Sequence, residues 1–238
     1  MKNEIIKANS RGHASHGWLD SWHSFSFGHY QNNSRIHFGA LRVLNDDTVA
    51  PSMGFGKHPH DNMEIISIPL EGALEHEDNT GTKAVIRKGE VQVMSAGSGI
   101  VHSEKNKSHR EAAKFLQIWI IPDKRNVSPR YDQKVFEDLT TENVLHTIVS
   151  PIGSNDAGVQ IHQDAWLSFA KLKQGHTLTY DLKKAAGGLY VFVIDGTIKF
   201  QDAKLESRDA LTVTDFDSTD ITADTNAEVL LIEVPMIA

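Results

Sequence analysis

The stretch Ile65-Ile66-Ser67-Ile68-Pro69-Leu70-Glu71-Gly72-Ala73-Leu74 decides how the chain is read. Its first half is β-branched and of strand length. Glu71-Gly72 then interrupts it before apolar residues resume, and a glycine there can take the positive φ of a tight hairpin turn. Residues 115–121, 189–194 and 229–234 are further short apolar runs with turn residues nearby, and Asp195-Gly196 repeats the hairpin signal. Helical periodicity is scarce, with 137–143 fit for one short turn or two. Many short strands with regular turn signals predict an all-β sandwich or barrel.

The two halves echo each other. Residues 65–74 resemble 190–198, Lys88-Gly89-Glu90-Val91 resembles the stretch around Arg208-Asp209-Ala210-Leu211, and 115–122 resembles 229–235, each an apolar run ending in proline. Three matches in the same order predict a duplicated unit, divided at 1–130 and 131–238.

Composition limits the chemistry. The 238 residues carry a formal net charge of −7, which argues against a direct grip on nucleic acid, since that needs a basic surface to displace counterions. No apolar run approaches a membrane span, and the start lacks an apolar signal region. There is no cysteine, which excludes disulfides, zinc–thiolate sites, iron–sulfur clusters and thiol nucleophiles. A cytoplasmic protein is expected.

Two dense pairs stand out, His58-Pro59-His60 and His102-Ser103-Glu104. Residues two apart on a strand project from one face, so two such strands can converge four donors on one point. Three neutral imidazoles and a carboxylate suit one first-row divalent metal, whether Fe, Ni, Cu, Co, Mn or Zn. The histidines His13, His16, His23, His29 and His37 have no such pairing and read as packing and solvated loop. Trp18, Trp22, Phe25, Phe27 and Tyr30 read as an aromatic staple, and Asn45-Asp46-Asp47 as a turn beside Arg42. In the second half, Leu182 and Lys184 fall where the first half has His58 and His60, which predicts a unit without the site.

The surroundings of the two pairs resemble the two motifs of the cupin superfamily. His58, His60, Glu64 and Gly72 match the first; Gly89, Gly99, His102 and Asn106 match the second, with Ser95 where a proline is usual and one extra residue between Glu64 and Gly72. Together with Trp18-Leu19-Asp20-Ser21-Trp22-His23, Gly54-Phe55-Gly56-Lys57 and Ser95-Ala96-Gly97-Ser98-Gly99, these motifs are similar to those of the pirin family over the first 120 residues or so.

That resemblance implies two cupin-type antiparallel β-barrels with few short helices. It implies metal ligation by His58, His60, His102 and Glu104, with Glu64 left out, and favours Fe(II). The activity implied is quercetin 2,3-dioxygenase chemistry, in which O2 opens a flavonol ring with loss of carbon monoxide and Glu104 accepts the substrate's proton. Two other readings stay open: a non-catalytic, metal- or redox-dependent regulatory protein with a protein partner, and a cupin enzyme acting on another small molecule.

Overall fold

The computed structural model describes residues 1–236. The strands in chain order are β1 (Lys2–Ile6), β2 (Gly12–Ser15), β3 (Leu19–His23), β4 (Leu41–Val49), β5 (Gly54–His60), β6 (Glu64–Glu71), β7 (Ala73–Asp78) and β8 (Lys83–Arg87). They continue with β9 (Glu90–Ser95), β10 (Ile100–Asn106), β11 (Ala113–Ile120), β12 (Arg130–Val135), β13 (Leu145–Pro151), β14 (Val159–Ile161) and β15 (Trp166–Leu172). The last are β16 (Thr177–Asp181), β17 (Gly187–Asp195), β18 (Thr197–Phe200), β19 (Ala203–Glu206), β20 (Ala210–Thr214), β21 (Ser218–Ala223) and β22 (Ala227–Pro235). Two single-turn 3-10 helices, Ala8–Ser10 and Glu137–Thr140, are the helical content of the described residues. None is long and apolar enough to cross a membrane.

The expected hairpins form where glycine permits them. Gly72, with φ of 73°, joins β6 to β7, and Gly196, with φ of 79°, joins β17 to β18.

Two compact units result. One, residues 12–136 and 159–163, contains a seven-stranded sheet ordered β12-β9-β6-β11-β4-β3-β2 and a four-stranded sheet ordered β5-β10-β7-β8. The other, residues 1–11, 137–158 and 164–238, centres on sheet strands ordered β1-β20-β17-β22-β15-β13 and a small sheet ordered β16-β21-β18-β19. The two orders match over six strands of the large sheets and all four of the small ones, which is the duplication in topological form. The sheets are cupin-like sandwiches rather than closed barrels, because each keeps two edge strands instead of pairing its first strand with its last.

The units also differ from a simple cut at residue 130. β12 pairs with β9 along residues 130–135, and β1 occupies the matching edge of the other unit by pairing with β20. Leu182 and Lys184 lie just past β16 rather than on it; Leu182 packs against the core, and Lys184 forms an ion pair with Asp164.

The interiors contrast. In the C-terminal unit one large described apolar cluster includes Tyr180, Leu189, Val191, Phe200, Leu211 and Leu231. In the N-terminal unit the described apolar core splits into smaller clusters, one around Phe115, Leu74 and Ile86, another around Ile65, Met94 and Ile100. A cavity of about 430 Å3 opens in this unit, within the range of small-molecule sites.

Candidate metal centre

β5 and β10 run antiparallel with His58 directly opposite His102. The register slips between His102 and Glu104, so that Glu104 comes to face Phe55. Such a bulge re-aims side chains, a common device beside functional sites. The ring centroids of His58, His60 and His102 lie 4.5–5.0 Å apart. Each of the three offers a ring nitrogen within 4.8 Å of the others, and His76, His102 and Glu104 form a second such group that shares His102. All four residues of the two sequence pairs line the same cavity.

Protonation suits a cation. Burial, followed by the proximity of His58, pushes His60 down to about 4. Burial, and then the neighbouring imidazoles, push His102 down to about 2. Both rings are therefore neutral near pH 7, with a lone pair to offer. His58 donates from Nδ1 to the Gly56 carbonyl at 2.7 Å, which leaves Nε2 as its ligand atom. His102 Nδ1 faces His76 Nδ1 at 3.5 Å, while its Nε2 is buried with no protein hydrogen-bond partner. A buried orphan nitrogen beside two other imidazoles fits a metal ion.

Glu104, buried at 2% exposure, is held at both oxygens: Ser67 Oγ donates to one at 2.7 Å and Gln117 Nε2 to the other at 2.6 Å. Glu64 is committed elsewhere. It faces Ser95 across β6 and β9 and accepts that hydroxyl at 2.7 Å. Ser95, the departure from the cupin proline, is thus the partner of the glutamate that is not on the cavity wall.

Several residues here carry roles that sequence reading did not assign. His13, His16, His23 and His29, taken as packing and solvated loop, line the cavity with Phe27, Tyr30 and Trp119. Asn45 and Asp47 lie within β4 rather than in a turn, and both are buried on the cavity wall. Arg42 bonds the carbonyls of Ser26 and Ile36 rather than a carboxylate. His76 sits behind His102 and bonds Asp78 at 3.0 Å; its i, i+2 spacing to Asp78 was a signal available in the sequence.

Comparison with known proteins agrees with this architecture. Residues 5–120 match the Pirin family model, and 147–234 match that of the quercetinase C-terminal cupin domain. A quercetin 2,3-dioxygenase of Escherichia coli is 40% identical over 97% of this chain and 98% of its own length. A protein of Pseudomonas aeruginosa named as a putative quercetin 2,3-dioxygenase is 41% identical over 94% of this chain and 95% of its own. The crystal structure of a bacterial pirin from E. coli in complex with nickel(II) superposes with a TM-score of 0.93 at 39% identity, covering 99% of this chain and all of that one. With relatives this close along nearly its whole length, the chain belongs to the pirin family.

Proposed function

We propose that the cavity is the active site of a dioxygenase that cleaves a flavonol with O2, using one divalent metal, natively Fe(II), held by His58, His60, His102 and Glu104. The observation that carries this reading is the orphaned Nε2 of buried His102 beside the rings of His58 and His60, on the wall of a cavity large enough for a flat aromatic molecule. The relatives named as quercetin 2,3-dioxygenases and the nickel(II)-bound pirin support it.

A metal bound by these donors supplies Lewis acidity toward the substrate's 3-hydroxyl, lowering its pKa. The protein's own groups do the rest. Phe27, Phe55, Ile65 and Trp119 give the cavity apolar and aromatic walls for a planar ring system. Trp119 stands edge-on to both His60 and Phe27, so its indole is fixed beside the ligand histidines. Glu104 takes the 3-hydroxyl proton. Ser67 and Gln117 occupy two of the roughly four lone-pair directions of its carboxylate, leaving one oxygen direction for the metal side and one for the proton. The same two donors fix its orientation, so no rearrangement is needed as the proton arrives.

The test is to supply the protein with Fe(II), Ni(II), Cu(II), Co(II), Mn(II) or Zn(II) and follow quercetin absorbance and carbon monoxide in air. Loss of quercetin with matching carbon monoxide is expected for at least one ion. No turnover with any of them would overturn the proposal and leave a regulatory protein as the better reading.

A further inference from the structure

The seven-stranded sheet of the N-terminal unit carries a row of polar side chains where a sandwich interior is normally apolar. Backbone register aligns His23 (β3), Asn45 (β4), Gln117 (β11), Ser67 (β6) and Gln92 (β9) directly opposite one another across five strands. Every member is at most 8% exposed. Ser21 and Asp47 form the adjacent cross-strand pair, at 2% exposure each. Burying so many polar groups costs stability unless they meet partners.

The duplicated unit is an internal control. The corresponding row on β13, β15, β22, β17 and β20 reads Thr147, Ser168, Leu231, Val191 and Leu211. The counterpart of the Ser21–Asp47 pair is Leu145–Ala170. The same sheet order is therefore built there with apolar residues at Leu231, Val191, Leu211 and the Leu145–Ala170 pair, while Thr147 and Ser168 stay polar. The Ser21–Asp47 pair and the buried amides Asn45, Gln117 and Gln92 are not repeated in the second unit.

Its centre is already used, since Gln117 and Ser67 hold Glu104. Its β3–β4 end is not. There Asn45 Oδ1 is buried with no protein hydrogen-bond partner, on a side chain that lines the cavity. Beside it Ser21 Oγ bonds His23 Nε2 at 2.8 Å and also donates to Asp47. Asp47 bonds the hydroxyl rather than the imidazole, so the trio lacks the carboxylate–imidazole–hydroxyl order that activates a serine nucleophile. What it presents is a pair of acceptors, Asn45 and Asp47, on one face of one strand.

We infer that this end of the cavity, through Asn45 and Asp47, is a recognition subsite for a phenolic hydroxyl on a flavonol ring remote from the metal-side oxygen. The inference rests on the flavonol reading of the cavity. The spacing is suitable: Asp47 is the diagonal neighbour of Gln117, roughly 7–8 Å away across the sheet, and Gln117 marks the position of Glu104. That distance is comparable to the separation of the 3- and 7-hydroxyls of a flavonol, across its fused rings. Burial pushes the Asp47 carboxyl up to about 7, against the Ser21 hydrogen bond that lowers it, so it can accept from or donate to a phenol near neutrality.

Isothermal titration with quercetin and with 3-hydroxyflavone, which keeps the 3-hydroxyl and lacks the remote ones, tests this. The protein should bind quercetin about 10–100-fold more tightly, the effect of a hydrogen bond to a charged group. Asp47→Asn and Asn45→Leu should each shrink that ratio at least fivefold, while affinity for 3-hydroxyflavone stays within about threefold. Differences in the hydration of the two ligands cancel between protein and variant. No preference in the unaltered protein, which needs no variant to fold, would overturn the subsite. So would a preference that both substitutions leave unchanged. Turnover assays on the same pair separate the two levels: equal binding of both flavonols with turnover intact rejects the subsite alone, whereas preferential binding without turnover supports the subsite and rejects the dioxygenase.

Discussion

Substituting Glu64 by glutamine should remove a pH dependence of stability that the fold builds into the N-terminal unit. Burial raises the Glu64 carboxyl from 4.5 to about 7, only partly offset by the Ser95 hydroxyl and the His162 backbone. An unfolded chain releases this proton near 4.5, whereas the folded one keeps it until about 7. Between those values the folded state binds more protons, so the free energy of unfolding falls as pH rises and is flat on either side. At about 1.36 kcal/mol per pH unit, the full loss between pH 4.5 and pH 7 is about 3 kcal/mol. The glutamine of the variant has no proton to lose. Its oxygen can still accept from Ser95, while its amide group adds a desolvation cost of about 1–3 kcal/mol that does not vary with pH. The quantity to measure is therefore a double difference, variant minus parent at pH 8 less the same difference at pH 5. It should be about +2 to +3 kcal/mol in favour of the variant. Urea unfolding followed by tryptophan fluorescence is suitable, because Trp18, Trp22 and Trp119 lie in the unit that holds Glu64. A chelator must be present, since metal binding to histidines carries its own pH dependence. Equal slopes in parent and variant would refute the assignment of a buried, protonated Glu64.

Other outcomes follow from the same geometry. Glu104→Gln should lower kcat by about 10²–10⁴ while part of the metal remains bound, and parent-like turnover in the loaded variant would remove Glu104 as proton acceptor. Ser67→Ala withdraws one of the two donors to that carboxylate, and a fall in kcat without matching metal loss is expected from steady-state kinetics alongside metal analysis. Gly97→Ala should lower the unfolding temperature by several degrees. Its φ is +49° and an added Cβ would lie 2.0 Å from the Val127 carbonyl oxygen, so calorimetry showing no change would mean that the loop yields freely.

The all-β character was legible because the strands announce themselves locally: alternating β-branched runs, and glycines at Gly72 and Gly196 that adopt the positive φ their turns require. The convergence of the two pairs on one cavity was legible because i, i+2 spacing on a strand is enough to place two side chains on one face. Neither kind of local signal reaches across strands. Asn45 and Asp47 sit in an Asn/Asp-rich segment of turn-like composition, and only pairing with β3 and β11 on either side makes it a central strand. In an alternating strand a polar residue reads as solvent-facing. The row His23–Asn45–Gln117–Ser67–Gln92 becomes an interior feature only once register aligns residues far apart in sequence. The exchange of β1 and β12 between units was hidden for the same reason, since each is a short edge strand whose partner is distant or unmarked.

The central claim is that His58, His60, His102 and Glu104 hold one metal ion on which flavonol cleavage depends. It is tested most directly by stripping the protein of metal, titrating the active ion back, and recording carbon monoxide released from quercetin at each step. Activity should rise linearly and break at about one metal per chain, and the His58→Ala/His60→Ala double variant should show neither the break nor the gas. Carbon monoxide release that is independent of added metal, or a parent-like break in the double variant, would contradict it.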